Sequence, residues 1–502
     1  MAIKKYIATK DNTITNAFGV DLSTRATGSN MGAADILEVF SIYGQQTTSS
    51  VELSRALVEF PISNISSDRT AGTIPASGSV KFYLRMFNAR HSEQLPSNFT
   101  FNVLAVSQSW QEGRGLDMES YQDKTKDNID GSNWVNRAKG LKWSKVGGEY
   151  HSASYIAGQS MPTSTYTFGN GGEDLFVDVT AAVEEWIAGK QSNYGFGVFL
   201  TSSSEGYNSN SSGVDEGSIL HNTDGATKSF YTKRFFSRTS EFFFKRPAIE
   251  ARWDSTIKDD RGYFYASSSM APADDNLNNL YLYNYIRGRL VDIPNSSETI
   301  TLSLYASSAN SPTGNALATA TATKSSTGVY RAQISINTAE TLLHDVWSGS
   351  IGGEYKTGSI KVKNFNDTSV LLSDDYTQYV SKVTNLKAKY VKDEEARFRV
   401  FARPRNFSPT IYTVASTDIE GVIIPSASYE IVRVVDNRTV INNSTGSATK
   451  HTYLSYDNSG SYFDLNMSLL EPGYMYGIKL FYHLSNGWRE QEELFKFRVE
   501  DN

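Results

Sequence analysis

At 502 residues the chain has room for about three domains of ordinary size, each able to bury its own core. A hydrophobic content of 39% with 29 Tyr, 26 Phe and only 12 Pro suits strands with one wet face, and 48 basic against 54 acidic residues leave no charge excess that would draw in nucleic acid or an anionic membrane. No cysteine is present, which excludes disulfides, thiolate metal sites, iron–sulfur clusters and cysteine nucleophiles, and no run approaches the ~18 apolar residues of a membrane span.

The opening MAIKKYIATKDNTITNAFG is basic but has no apolar core segment, so it does not read as a secretory signal; the expectation is a protein made in a cytoplasm and not exported by the general route. SRALVEFPIS (Ser54 to Ser63) reads as an early strand, and VKFYLRMFNA (Val80 to Ala89) as the next, with Val80, Phe82, Leu84 and Met86 on one face. FTFNVLAVSQSWQEG (Phe99 to Gly113) is a strand running into an SW-x-E segment at Trp110. GSNWVNRAKGLKWSKVGGEY (Gly131 to Tyr150) is a loop carrying Trp134 and Trp143, followed by Gly147 and Gly148.

The most informative stretch is EDLFVDVTAAVEEWIAGKQSNYGFGVFLT (Glu173 to Thr201), which reads as strand, short helix, turn and strand. Asp178 or Thr180 can cap a helix over Thr180 to Ala188, whose apolar side is Val179, Val183, Trp186 and Ile187, with Gly189 placed to end it in a left-handed conformation. Trp186 is expected in the core. Asn193, Tyr194 and Gly195 turn the chain into a strand in which Phe196, Val198 and Leu200 share a face. A polar insertion, Ser202 to Ser218, precedes the basic aromatic segment YTKRFFSRTSEFFFKRPAIEARWD (Tyr231 to Asp254). By composition that segment is like a nucleic-acid surface, but in a β module its rings are expected to face the core while Lys233, Arg234, Arg238, Lys245 and Arg246 face water.

These segments, in this order, resemble the DNRLRE-type β-sandwich module, a non-catalytic domain of cell-surface, polysaccharide-active and tailed-phage virion proteins. The resemblance covers about residues 1–254, with the closing strands similar to those of phage versions. It implies a sandwich whose structural signature is Trp110, Trp134, Trp143, Gly147, Gly148, Asp178, Thr180, Trp186, Gly189, Tyr194 and Gly195.

Past a polar connector at 255–275, LNNLYLYNYIRGRLVDIP begins a new run of strands. Ile300, Leu302 and Leu304 alternate in ITLSLYAS, as do Tyr330, Ala332, Ile334 and Ile336 in GVYRAQISI, while TAETLLHDVWSG (Thr338 to Gly349) reads as a short helix or a loop. Residues 276–368 are thus expected to form a second sandwich and 369–502 a third. In the third, LLEPGYMYGIKLFY resembles the tyrosine corner of fibronectin type III and immunoglobulin-like domains through Pro472, Gly473 and Tyr476, whose hydroxyl is expected to bond back to upstream backbone. The fold expected is all-β: three consecutive sandwich modules, jelly-roll or immunoglobulin-like, with very few short helices.

No nucleophile elbow, phosphate loop or dinucleotide fingerprint is present, and His91, His151, His221, His344, His451 and His483 lack metal-site spacing. Glu112, Asp117, Glu184 and Glu185 are the carboxylates that a glycosidase reading would use, and Asp274 to Asn279, Ser373 to Asp375 and Asp457 to Asp464 are oxygen-rich loops without a calcium-loop pattern. The tryptophans offer a sugar-stacking platform or, as is commoner, core aromatics. The expectation is therefore a protein without catalytic residues, cofactor or metal. It is a virion structural component at the neck, tail, baseplate or surface, assembled in the host cytoplasm, with other virion proteins and copies of itself as partners; the alternatives are a glycan-binding adhesin or receptor-binding module, with a cell-surface glycan as partner, and, after it, an accessory region of a polysaccharide-degrading enzyme. The insertion Ser202 to Ser218 is expected to carry contacts.

Overall fold

The computed structural model describes residues 2–44, 51–91, 96–117, 131–151, 161–209, 220–293, 299–306, 315–349, 354–363, 378–405, 421–445, 449–484 and 487–501, without the side chains of 231, 232 and 354–357. It divides into two units, Ala2–Trp253 and Asp254–Asn502. The chain is all-β, and among the described residues no helix is long and apolar enough to cross a membrane.

The first unit is a sandwich. Its smaller sheet has the antiparallel order Ile3–Ile7, Ala248–Trp253, Val80–Met86, Leu175–Asp178. The larger runs Phe230–Phe236, Ile36–Ile42, Glu52–Glu59, Phe196–Leu200, Phe99–Ala105, Ser164–Phe168, with Lys10–Thr15 added to Glu52–Glu59. Val80, Phe82, Leu84 and Met86 alternate inward, as the pleat requires, and meet Ala56, Val58, Phe101, Val103, Phe196 and Val198 of the facing sheet. Two α-helices close one end of this core: α1 (Ile62–Thr70), which buries Ile62 and Ile65, and α2 (Thr180–Ile187), which buries Ala182, Val183 and Trp186. A bidentate pair, Arg69 to Glu184 at 2.7 and 2.7 Å, joins them.

Several local expectations are corrected here. The strand expected to reach Ser63 ends at Glu59, because Pro61 has a fixed φ, donates no N–H and stands at the start of α1. Neither Asp178 nor Thr180 caps α2: the N-cap position is Val179 with no side-chain cap. Asp178 instead accepts from the Thr180 N–H, and the Thr180 hydroxyl accepts from Phe82 N in the neighbouring strand Val80–Met86. Gly189 follows α2 at φ +69°, the left-handed conformation a helix end favours. Lys233 does not face water. It is 1% exposed, donates to Asn88 Oδ1 and to the Gly171 and Glu173 carbonyls at 2.6–2.7 Å, and lies over the Phe168 ring, because a register shift between Phe230 and Lys233 breaks the alternation. Phe242 and Phe243, expected inside, are 41% and 46% exposed.

In the second unit the first β module is one seven-stranded sheet in the order Phe264–Tyr265, Glu354–Lys363, Leu342–Ser348, Ile300–Tyr305, Ala318–Ser326, Val329–Ile334, Asn278–Tyr283. Its two end strands are clipped together by Asn278, whose side chain accepts from Tyr265 N and donates to Tyr265 O, so the sheet wraps round Leu302, Leu304, Ile334, Trp347 and Ile360. Leu342–Ser348 is a strand, not the helix or loop expected: Leu343, Asp345 and Trp347 alternate inward and the backbone is paired on both sides. The last module sets a four-stranded sheet (Tyr379–Val383, Glu395–Pro404, Gly460–Asn466, Ser455–Asp457) against a six-stranded one containing Lys389–Val391, Phe495–Glu500, Met475–Leu484, Ala427–Arg433 and Arg438–Ile441. Stacked Tyr429 and Phe463, with centroids 4.0 Å apart, lie in its interior with Phe398 and Phe497.

Candidate functional site

The outer face of the larger sheet of the first unit is where the resembling segments converge. On Glu52–Glu59, Ala56 and Val58 point into the sandwich, so Leu53, Arg55 and Leu57 point the other way. An open sheet face would leave Leu53 and Leu57 wet. Here the described parts of 106–150 lie across it, and Trp110, Trp134, Trp143 and Val146 form a second apolar cluster with Leu53, Leu57 and Ile14. All four signature tryptophans are buried, Trp186 in the sandwich core with its ring 4.7 Å from Phe196.

Two of the four rings are fixed by what their indoles find. Trp110 Nε1 donates to the Tyr194 carbonyl at 2.8 Å, so the turn before Phe196–Leu200 and the SW-x-E segment hold one another. Trp143 Nε1 donates to Asn133 O at 2.9 Å, whereas the Trp134 and Trp186 indoles are buried without a partner. Two glycines make the close approach possible. Gly147, at φ +81°, lies flat against Trp134, whose ring would be 2.9 Å from an added Cβ. Gly195, at φ +79°, passes the Val58 carbonyl oxygen so closely that a Cβ would stand 2.1 Å from it. Gly148 continues the Gly147 turn at φ +92°.

Between these rings sits a buried ion pair that sequence reading missed. Arg55 Nε and Nη2 donate to the two Glu205 oxygens at 2.9 and 2.8 Å, and Nη1 donates to Gly147 O at 2.9 Å. The guanidinium lies 4.5 Å from the Phe199 ring centroid and 5.6 Å from that of Trp134. Tyr150 donates to Gly147 O from the same pocket, and burial pushes its hydroxyl up to about 12, so it stays a neutral donor. The one available signal was Arg55 itself, a charge at an alternating position otherwise filled by Leu53 and Leu57. Glu205 belongs to the polar insertion, of which residues 210–218 lie outside the described residues.

A second network pins the edge of this layer. Asn30 Nδ2 donates to the Glu112 and Ser132 carbonyls, and its Oδ1 accepts from Gly32 and Gly115 N–H groups. Glu112, the acid of SW-x-E, is held bidentately by Arg238 and accepts from Asp11 N. Of the remaining glycosidase candidates, Asp117 is buried beside Asn30, Glu184 is locked to Arg69, and Glu185 pairs with Lys190 at 2.9 Å. A carboxylate with both oxygens on a guanidinium is poorly placed to donate or take a proton.

The histidines are scattered. Burial, with Lys233 and Arg234 nearby, pushes His91 down to about 4, and burial lowers His151. His451 meets the Thr449 hydroxyl, His344 Nε2 is buried without a partner, His221 is exposed, and His483 packs against Trp488. Of the oxygen-rich loops, Asp274 to Asn279 makes a short 3-10 turn with Asn279 donating to Asp260, while Asp457 and Asp464 pair with Arg399 and Arg397. Ser373 to Asp375 lies outside the described residues. Among the described residues no group of three or more His, Asp or Glu is arranged to hold a metal ion. In the last module the Tyr476 hydroxyl donates to Glu471 O at 2.7 Å across the Pro472–Gly473 turn, with Gly473 at φ +86°.

No family model and no curated protein matches the chain. Among solved structures it is similar to the Yersinia pseudotuberculosis adhesin InvE, at 12% identity and a TM-score of 0.15 over 47% of this chain and 56% of that one. It is similar to the IG1 and IG2 region of DIP-gamma at 10% identity and a TM-score of 0.13, over 48% of this chain and 92% of that one. SGBP-B of a Bacteroides ovatus mixed-linkage glucan utilization locus, in complex with a mixed-linkage heptasaccharide, gives 12% identity and a TM-score of 0.15 over 51% of this chain and 49% of that one. None of these likenesses is close enough to carry a functional argument.

Proposed function

We propose that the chain is a non-catalytic assembly protein, a structural component of a tailed-phage particle built on a DNRLRE-like module. The observation that carries the reading is the tryptophan layer. Trp110, Trp134 and Trp143 do not stand out as a platform for sugar; they bind a long loop onto a sheet face, with Arg55–Glu205 clamped beneath it. Such a doubly covered sheet is a rigid base from which loops and sheet edges can dock to identical neighbours, and symmetric repetition makes modest contacts sufficient. Two of the four candidate carboxylates, Glu112 and Glu184, are each held bidentately by an arginine, which supports work by contact rather than turnover.

The test is mass spectrometry and imaging of purified particles, together with glycan-hydrolysis assays on the isolated chain. The chain should be present in the particle at a symmetric site and should release no reducing ends. Absence from particles, or hydrolysis abolished by substituting a single carboxylate, would overturn the reading. A glycan-binding adhesin is the second reading, favoured by the half-exposed cluster of Tyr453, Trp488 and His483, whose rings lie 5.3–5.4 Å from the Trp488 centroid. Glycan-array binding lost in Trp488→Ala would favour it.

A further inference from the structure

Among the described residues the strand Ile3–Ile7 ends the smaller sheet of the first unit, with Ala248–Trp253 on one side of it and no strand on the other. Its register is Lys4↔Ala251 and Tyr6↔Ile249, continued outward by Trp253 N to Ala2 O at 3.0 Å and Ala8 N to Pro247 O at 2.9 Å. In an antiparallel ladder alternate residues exchange both main-chain bonds with the partner strand. Ala2, Lys4, Tyr6 and Ala8 therefore turn their N–H and C=O groups toward Ala248–Trp253, and Lys5 and Ile7 turn theirs away from it.

They face a groove of about 580 Å³ that runs between this edge and α1, with Lys5, Ile7 and Thr9 on one wall and Pro61, Asn64 and Ser67 on the other. Natural sheets commonly blunt such an edge with lysines that reach across it. Here both lysines are held elsewhere. Lys4 Nζ lies 2.7 Å from Asp68 Oδ2, which also accepts from the Tyr6 hydroxyl, and Lys5 Nζ lies 3.6 Å from Glu250. The Lys4 and Tyr6 contacts with Asp68 also tie the strand to α1, so the groove has two fixed walls.

We propose that this groove is a strand-addition site, which takes an extended polypeptide segment bearing an acidic residue beside Lys5. Only an extended backbone offers alternating N–H and C=O groups at the spacing that Lys5 and Ile7 present; a sugar or nucleotide does not. Lys4 is offset by Asp68, but Lys5 shares the one carboxylate of Glu250 with Arg85 and Arg252, so the charge at this edge favours an acidic segment. A second copy of the same strand, IKKYI, has no acidic residue to set beside Lys5, and in the register centred on Lys5 it would place like charges opposite one another. The occupant is thus a different segment, and, resting on the assembly reading above, it comes from a neighbouring subunit of the particle.

The test uses the full chain and a labelled hexapeptide with the sequence of Ala248–Trp253, which pairs with this strand inside the fold and carries a glutamate. Saturable binding is expected, weakened tenfold or more when the peptide is N-methylated at alternate residues or its glutamate is replaced by lysine. Amide hydrogen exchange at Lys5 and Ile7 should be fast in the free chain and slowed by the peptide. Slow exchange in the free chain, or binding indifferent to N-methylation, would overturn the proposal. Because every substitution is made in the peptide, loss of the protein's fold cannot mimic loss of the site. Absence of the chain from purified particles would sink the assembly reading while leaving peptide capture standing, and failure of capture would do the reverse.

Discussion

At the scale of single residues, the Arg55–Glu205 pair shows how much a buried charge depends on its partner. Both side chains are buried and hydrogen-bonded, so removing one leaves the other uncompensated in a low-dielectric setting. Arg55→Met should cost about 3–5 kcal/mol in urea unfolding, and Arg55→Met with Glu205→Leu should cost much less than the single change, since apolar isosteres often replace a buried pair without loss. A double mutant as unstable as the single one would mean that the packing of the stem, not the charge, is what Arg55 supplies. Trp186→Ala should likewise cost about 3–5 kcal/mol, because the ring fills the end of the sandwich against Phe196. Iodide should fail to quench its fluorescence in the folded chain. Among the indoles of the outer layer the ranking is set by partners: Trp143→Phe leaves Asn133 O unsatisfied and should be worse than Trp134→Phe, whose indole N–H has no partner to lose.

At the scale of elements, the segment 257–261 joins two modules and titrates. Burial pushes Asp259 up to about 7, Arg261 opposing this and Asp260 and Asp457 adding to it. A carboxyl whose folded value lies above its unfolded one of 3.8 binds its proton more tightly when folded, so its contribution is full below pH ~4 and is lost as pH rises toward 7. Glu250 runs the opposite way. Burial alone would raise it, but Arg85, Arg252 and Lys5 outweigh burial and hold it well below the usual carboxylate range, so its contribution is present above its unfolded value and lost on acidification. Asp259 should therefore withdraw about 1–3 kcal/mol of stability between pH 4.5 and 7.5, read as the difference in pH dependence between wild type and Asp259→Asn, with the acid limb unchanged. Identical slopes in the two proteins would place the titration elsewhere. What could be read in the sequence at this scale follows from how local each element is. Alternation in Val80–Met86 and Ile300–Tyr305 needs only neighbours in sequence, and it gave the correct faces. Leu342, Leu343 and Trp347 have spacing that suits a helix too, and only pairing with distant strands decides for β. α1 is polar with two buried isoleucines, which leaves little periodicity to detect. In the site, Trp110, Trp134, Trp143 and the glycines stand in recognisable local motifs. Glu205 is 150 residues from Arg55 and has no local signature at all.

At the scale of the whole molecule, the unit Asp254–Asn502 holds two β modules that share side chains rather than merely a linker. The backbone of Ile257 and Asp259 exchanges hydrogen bonds with Tyr456 on the edge of the last module, and Ile257 N donates to Ser455 Oγ. Two residues on, the same segment reaches into the seven-stranded sheet: Asp260 accepts from Asn279 N, and Arg261 donates to both Asp345 oxygens at 2.9 and 2.7 Å. Asp260 also accepts from the Tyr456 hydroxyl at 2.7 Å, so one carboxylate bonds to both modules at once. Asp345 is buried and also accepts from the Trp347 indole at 2.7 Å, a neutral donor that does not offset its charge as Arg261 does. Such sharing makes independent opening costly, because either module on unfolding strips buried polar groups of the other. In the intact chain, hydrogen exchange of the core strands Ile300–Tyr305 and Gly460–Asn466 should then report one common opening free energy. Arg261→Met should lower that energy by about 3–5 kcal/mol for the seven-stranded sheet and, if the charge of Asp345 drives it apart, let that sheet open before the last module does. Two distinct opening energies in the wild-type chain would mean that the shared side chains position the modules without coupling their stability.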